Sequence, residues 1–327
     1  MKAIVCTKYG SPDVLQLKEV AKPTPKQDEA LVKVHAASLN ASDIEAMRGV
    51  LFVRFTGPFK PRHKILGSDV AGRVEAVGKN VKQFQPGDEI WGDLSFPHKF
   101  GAFAEYVCIP ENALRLKPAG MTFEEAAAVP TAGVVALENL RGSRPIQPGH
   151  RILINGAGGS VGTFAVQIAK YFETEVTAVD SSKKLDMLRS IGADHVIDYT
   201  QEDFTKNGQQ YDLILDVVAH RSVFAYKRAL NPNGICLLIG GPTPVIIQAL
   251  LLGALVSRTG SKKVGISMLW DPNNIEDLAF LEELINAGKV APVIDKRYPL
   301  EQTAEAMRYL EGGHAQGKVV IAIGDND

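Results

Sequence analysis

The sequence predicts a two-part α/β protein in which an irregular, mainly antiparallel β region is followed by a doubly wound parallel sheet. Three observations predict it. The chain has 327 residues, more than one ordinary core holds. Residues 1–120 carry short β-like runs broken by Gly and Pro. From Arg151 onward strand-like and helix-like runs alternate, the pattern of a parallel sheet covered by helices on both faces.

Met1-Lys-Ala-Ile-Val-Cys6 has no long apolar core and reads as a first strand rather than a signal peptide. Ala30–His35, Val70–Val77 and Phe103–Ile109 are further β runs. Gly78-Lys-Asn80 and Pro86-Gly-Asp88 are the turn signals among them. Phe123 to Leu140 has helical spacing interrupted by Pro130. Strands are expected at Arg151–Ile154, Glu175–Val179, His195–Ile197, Leu213–Val217, Ile235–Ile239 and Val264–Leu269. Helices are expected at Val161–Phe172, Lys183–Ile191, Ser222–Leu230 and Asn274–Ala287. The closing run, Gly317–Ile323, is a strand expected to return to the first region.

Composition narrows the function. Hydrophobic residues make up 45%, charged residues 22%, and the formal net charge is −1, so there is no basic footprint for nucleic acid. Cys6, Cys108 and Cys236 stand far apart and form neither a disulfide framework nor a Cys-x-x-Cys pair, which points to a reducing, cytoplasmic setting. The most apolar run, Val245 to Val256, is too short to span a bilayer as a helix, so no transmembrane segment is expected.

The main chemical signal is Ile152-Leu-Ile-Asn-Gly156-Ala-Gly158-Gly159-Ser160-Val161-Gly162. Such a glycine cluster is weak evidence alone. Here a buried-type strand precedes it, an amphipathic helix follows, and a second strand ends in Asp180, roughly 20 residues on. Gly156 permits the tight turn, Gly158 and Gly159 let the backbone approach a pyrophosphate, and Gly162 allows close helix–strand packing. The helix start offers N–H groups and partial positive charge to that phosphate, and Asp180 is placed to accept from the adenosine ribose hydroxyls.

With these features in hand, the chain resembles the medium-chain dehydrogenase/reductase superfamily in its zinc-free, quinone oxidoreductase-like branch. The resemblance rests on Asn40-Ala-Ser-Asp43, Leu66–Gly72, Gln85–Asp88, Gly101–Val107, Ala126–Gly133, Gly156–Gly162, Gly192–Tyr199 and Gly317–Val320, in that order. It implies a GroES-like β domain, residues 1–124 and 271–327, a Rossmann domain, residues 125–270, and an active site in the cleft between them. It further implies a homodimer, a nicotinamide cofactor and a small, largely apolar carbonyl substrate.

In the zinc-dependent relatives of that superfamily a Cys stands where this chain has Asn40, and Gly-His-Glu where it has Gly67-Ser68-Asp69. The structural-zinc cysteine cluster has no counterpart, so no zinc is expected. Conjugated acceptors, quinones and α,β-unsaturated carbonyls, suit hydride transfer without a metal, because charge spreads over their own π-system.

The resemblance makes Asn40 and Thr131 the expected catalytic residues, against the ordinary roles of a loop Asn and a helix N-cap. Many relatives carry Tyr where this chain has Glu45. The residues expected to hold the cofactor are Gly156, Gly158, Gly159, Ser160, Val161, Gly162, Asp180, Ser181, Lys184, Tyr199, Gly240 and Lys318. Asp180 favours NADH, because a carboxylate repels a 2′-phosphate, whereas Lys184 and Tyr199 match positions that hold that phosphate in NADPH-dependent relatives. The cofactor is therefore read as NAD(P)H. His63 is the histidine to watch, while Phe52, Phe55, Phe59 and Trp91 line a pocket or fill the core. Two other readings stay open: an enoyl-thioester reductase, and a cofactor-binding scaffold at a membrane surface, suggested by the apolar helix from Pro244 to Val256.

Overall fold

The computed structural model describes residues 1–95, 100–142, 145–258, 260–267, 271 and 275–324. His98, the side chain of Phe52, Met268 and Leu269 of the last expected sheet strand, and Asn274 lie outside the described residues. The chain divides into two compact units. One comprises Met1–Val134, Asp271–Asn286 and Ile294–Asp327, and the other Val135–Trp270 and Ala287–Val293. The first division thus falls after Val134 rather than after residue 124, which puts Thr131 in the first unit, and the second unit also takes in residues 287–293.

The first unit is built on a seven-stranded sheet. Ile294–Pro299, Lys318–Ala322, Glu29–Ser38, Asp69–Val77, Glu89–Asp93 and Leu114–Leu116 follow one another across it, and Tyr106–Pro110 pairs with Glu29–Ser38. The Ile294–Pro299 and Lys318–Ala322 pair is parallel and the other pairs are antiparallel. The closing strand returns to this unit as expected, with Val320 opposite Ser38. Gly87 turns the chain at φ 99° beside Pro86, the conformation its missing Cβ permits. One register matters for function. Ser38 pairs with Asp69, and Asp69 pairs with Asp93, so three polar residues stand side by side on adjacent strands.

The second unit is a six-stranded, wholly parallel sheet. Its order is His195–Asp198, Glu175–Asp180, Arg151–Asn155, Tyr211–Asp216, Leu230–Leu238, Lys263–Ile266. The strand order reverses at Arg151–Asn155, and ligands of such sheets bind beyond the carboxyl ends at that switch point. The helix Ser160–Tyr171 follows directly and buries Phe164, Ala165, Val166, Ile168 and Ala169.

Several elements differ from expectation. Asn40 lies not in an open loop but at the N-cap of a helix, Ala41–Arg48. Pro130 starts a new helix, Pro130–Arg141, after the short helix Phe123–Ala127, because proline is tolerated at a helix start and not in its interior. The strand Ile294–Pro299 and the helix Thr303–Glu311 were not anticipated. Within that stretch charged residues interrupt the apolar periodicity.

Candidate functional site

The glycine turn has the geometry that a dinucleotide needs. Gly156 sits at φ 78°, which an L side chain rarely adopts. A Cβ on Gly162 would lie 2.4 Å from the Gly156 carbonyl oxygen, so close packing excludes any side chain there. At Gly159, the N-cap of Ser160–Tyr171, a Cβ would meet only the Gly156 oxygen at 3.4 Å. The space over Gly159 is therefore open, and a helix's first turn leaves N–H groups without intrahelical partners. These residues fit the pyrophosphate of a nicotinamide dinucleotide.

Gly158 plays a different part from the one expected. Its N–H donates to Asp180 Oδ2 at 2.8 Å, and a Cβ there would meet Lys184 Cδ at 2.5 Å. It locks the strand-end carboxylate to the turn. Asp180 Oδ1 accepts from the Ser181 N–H at 2.8 Å, and Lys184 Nζ lies 3.4 Å from it. Both side chains are 9% exposed, so the carboxylate is held in place beside the ammonium. Tyr199 is exposed, and its N–H donates to the Asp180 carbonyl at 3.1 Å. Gly240 packs against the Val217 carbonyl, 2.8 Å from where its Cβ would be.

A buried carboxylate, Asp216, organises the same end of this sheet, and sequence reasoning missed it. It accepts from Asn155 Nδ2 (2.9 Å), the Val218 N–H (3.0 Å) and Tyr226 Oη (2.7 Å). Burial raises its pKa, and the same carboxylate raises that of Tyr226 after burial itself. The visible signal was a lone Asp closing an apolar strand.

The first unit gathers Asn40, Thr131 and Lys318 around Asp69. Asp69 Oδ2 accepts from Ser38 Oγ (2.7 Å), Asn40 Nδ2 (2.9 Å) and Lys318 Nζ (3.0 Å). Asp69 Oδ1 accepts from the Thr131 N–H (2.9 Å) and lies 2.6 Å from Thr131 Oγ1. Asn40 spends its second amide hydrogen on Ser68 Oγ (3.1 Å), and its carbonyl oxygen accepts from Lys318 (2.8 Å). Both amide hydrogens are thereby engaged within the protein, so a substrate carbonyl would have to compete for them.

Lys318, expected beside the cofactor, is fully buried. Its three ammonium hydrogens go to Leu39 O (3.3 Å), Asn40 Oδ1 and Asp69 Oδ2, with none left for a phosphate. Asn40 and Ser68 stand where the zinc enzymes of the superfamily hold ligands, and here they hydrogen-bond each other. An amide, a hydroxyl and a carboxylate already paired to Lys318 make a poor zinc site. Among the described residues there is no cluster of three or more His, Cys, Asp or Glu able to hold a metal.

Two further buried carboxyls border this network. Asp43 Oδ2 accepts from the Asn40 N–H (2.9 Å) and Oδ1 from the Gly67 N–H (3.1 Å). Burial, with some help from Asp69, lifts its pKa to about 7. Asp93 Oδ2 lies 3.0 Å from Thr131 Oγ1, and its Oδ1 accepts from the Ser95 N–H (2.8 Å) and hydroxyl. Burial first, and then the Asp69 charge, lift Asp93 to about 7. Ser38, Asp93 and Ser95 escaped the sequence reading, because only strand register brings them to Asp69. Thr131 is the one half-buried member; the others are buried.

The remaining candidates fall outside these clusters. Trp91 is core, with Nε1 donating to Leu116 O at 3.0 Å, whereas Phe55 and Phe59 are exposed. The His63 ring lies tilted against Phe100, 5.7 Å between ring centroids.

Comparison with known proteins agrees with this geometry. The alcohol dehydrogenase GroES-like domain family matches residues 26–119, and the zinc-binding dehydrogenase family matches residues 191–321. The chain is 37% identical over 331 residues to a tomato 2-methylene-furan-3-one reductase, covering 98% of this chain and 79% of that one. It is 36% identical to an Arabidopsis thaliana NADPH-dependent alkenal/one oxidoreductase, with the same coverage. Among solved structures, a quinone oxidoreductase from Coxiella burnetii superposes with a TM-score of 0.89 at 30% identity over 99% of both chains. On this evidence the chain belongs to the medium-chain dehydrogenase/reductase superfamily, in its zinc-free, quinone oxidoreductase-like branch.

Proposed function

We propose that this protein is an NADPH-dependent oxidoreductase that reduces quinones or α,β-unsaturated carbonyls without zinc. The observation that carries the reading is the Asn40–Asp69–Lys318 cluster. Where the zinc enzymes place metal ligands, this chain ties Asn40 to Ser68 and balances its buried carboxylate with a lysine. Nothing in that donor set offers a Lewis acid to a saturated carbonyl, so acceptors that delocalise charge themselves are the substrates it suits.

The cofactor, when bound, supplies the hydride. The open backbone over Gly159 and the start of Ser160–Tyr171 would hold its pyrophosphate. Lys184, buried against Asp180, offsets the carboxylate that would otherwise repel a 2′-phosphate, and this supports NADPH. Thr131, the partly exposed member of its network, meets the reactants and is held in place by Asp69 through both its N–H and its hydroxyl. The relatives whose names specify a conjugated substrate support the same class.

We further propose that the protein acts as a homodimer in a reducing, cytoplasmic setting. Ile247, Leu250 and Leu251 are exposed apolar residues on the Thr243–Arg258 helix, and Cys6 and Cys236 are fully buried as thiols. No helix among the described residues is long and apolar enough to cross a membrane. The test of function is a panel of quinones, enones, enoyl thioesters and primary alcohols with each reduced or oxidised cofactor, read by nicotinamide absorbance. Faster turnover of ethanol than of every quinone and enone would overturn the reading. Light scattering during gel filtration reads the oligomer.

A further inference from the structure

Thr131 Oγ1 carries one hydrogen yet stands between two carboxyl groups, 2.6 Å from Asp69 Oδ1 and 3.0 Å from Asp93 Oδ2. It cannot donate well to both, and two facing lone pairs at hydrogen-bond distance repel. A second hydrogen has to lie on one of the carboxyls.

The surroundings say which. Three of the groups that meet Asp69 can only donate, the Thr131 N–H, the Asn40 amide and the Lys318 ammonium, and the Ser38 hydroxyl stands beside them on Oδ2. Asn40 cannot be flipped, because its oxygen faces that same ammonium. A fully buried ammonium needs a partner anion, and Asp69 is the carboxylate in contact with it. Asp93 has no cation in contact among the described residues. The groups facing it are Asp69 on the adjacent strand, Thr131, and Ser95, which serves its other oxygen; Lys318 and Asp43 lie on the Asn40 side of Asp69.

We propose that Asp93 is a positioning residue that keeps its proton across the acid range up to neutrality and donates it to Thr131 Oγ1, so that the threonine hydroxyl points to Asp69 and meets a reactant only as an acceptor. The chain Asp93 Oδ2–H to Thr131 Oγ1–H to Asp69 Oδ1 satisfies every hydrogen in it. Thr131 then has one lone pair left, which selects an N–H or O–H donor on the reactant over a carbonyl oxygen. When Asp93 ionises, a second anion competes for the hydroxyl and the rotor loses its fixed direction. Burial and the Asp69 charge place that ionisation at about 7. The inference rests on the oxidoreductase reading only where it speaks of reactants.

The test has two arms. In wild-type protein with carbon-13-labelled aspartate, assigned by its loss in Asp93→Asn, the Asp93 carboxyl carbon should titrate near neutrality instead of near the ordinary value of 3.8. In turnover of a quinone or enone, wild-type kcat/KM should fall as pH rises through about 7. Asp93→Asn, whose amide donates to Thr131 at every pH, should flatten that profile. Asp93→Ala should lower kcat/KM by up to about a hundredfold at acid and neutral pH alike, the scale of a misplaced reacting group. Stability separates this from a merely structural role. The folded wild type holds a proton that the unfolded chain releases near 3.8, so its melting temperature should drop relative to Asp93→Asn between about pH 4 and 7 and not change further above that. An Asp93 resonance titrating near 3.8, or an Asp93→Asn deficit equal at every pH, overturns the proposal. Absence of turnover alongside a neutral-range titration sinks the oxidoreductase reading and leaves the proton on Asp93.

Discussion

Lys318 Nζ lies 3.0 Å from Asp69 Oδ2 with both side chains fully shielded from solvent. The pair joins the closing strand of the first unit to the strand that follows Gly67-Ser68, and it holds Asn40 between them. Removing one partner of such a pair strands a buried charge. Lys318→Met should destabilise the first unit by about 3–5 kcal/mol, and Lys318→Met with Asp69→Leu should recover part of that loss. Urea unfolding of the single and double variants checks it; equal stability of Lys318→Met and wild type would refute the pairing.

Gly159→Val should abolish dinucleotide binding while leaving the fold intact. The Cβ itself has room, with only the Gly156 oxygen at 3.4 Å, so the added methyls project into the space a pyrophosphate needs. Calorimetric titration beside a melting curve separates lost binding from lost structure. Gly162→Val, by contrast, should unfold the turn, since its Cβ would sit 2.4 Å from a carbonyl oxygen.

Asp180 and Lys184 should set the cofactor ratio in opposite directions. Asp180→Ser removes the carboxylate that lies 3.4 Å from the Lys184 ammonium, and with it the repulsion toward a 2′-phosphate. The NADPH to NADH ratio of kcat/KM should rise about tenfold or more in Asp180→Ser and fall in Lys184→Ala. A ratio unmoved by either change would mean that the adenosine ribose sits elsewhere.

The purified protein should carry no stoichiometric zinc and be indifferent to chelators. Asn40 and Ser68 use their polar atoms on each other, Asp69 and Lys318. About one zinc per chain by elemental analysis, with turnover lost on chelation, would contradict this.

The amino-acid order by itself determined the two-part α/β layout, the parallel sheet and the glycine turn, because each is written locally. Apolar alternation marks strands, glycine marks a turn whose φ is 78° at Gly156, and a strand-end carboxylate marks Asp180. The blocks around Asn40, Gly67 and Gly317 carried the family. Tertiary structure alone decided what those residues do. Lys318 reads as a basic residue in an apolar strand, and only the pairing of that strand with Glu29–Ser38, next to Asp69, reveals an ammonium with no hydrogen to spare. Asp93 and Ser95 are unremarkable in sequence, more than 20 residues from Asp69, yet strand pairing sets Asp93 beside Asp69 with Thr131 bridging them. Local patterns reflect the preferences of a few neighbouring residues, whereas a buried charge is settled by which distant partners the sheet brings within hydrogen-bond reach.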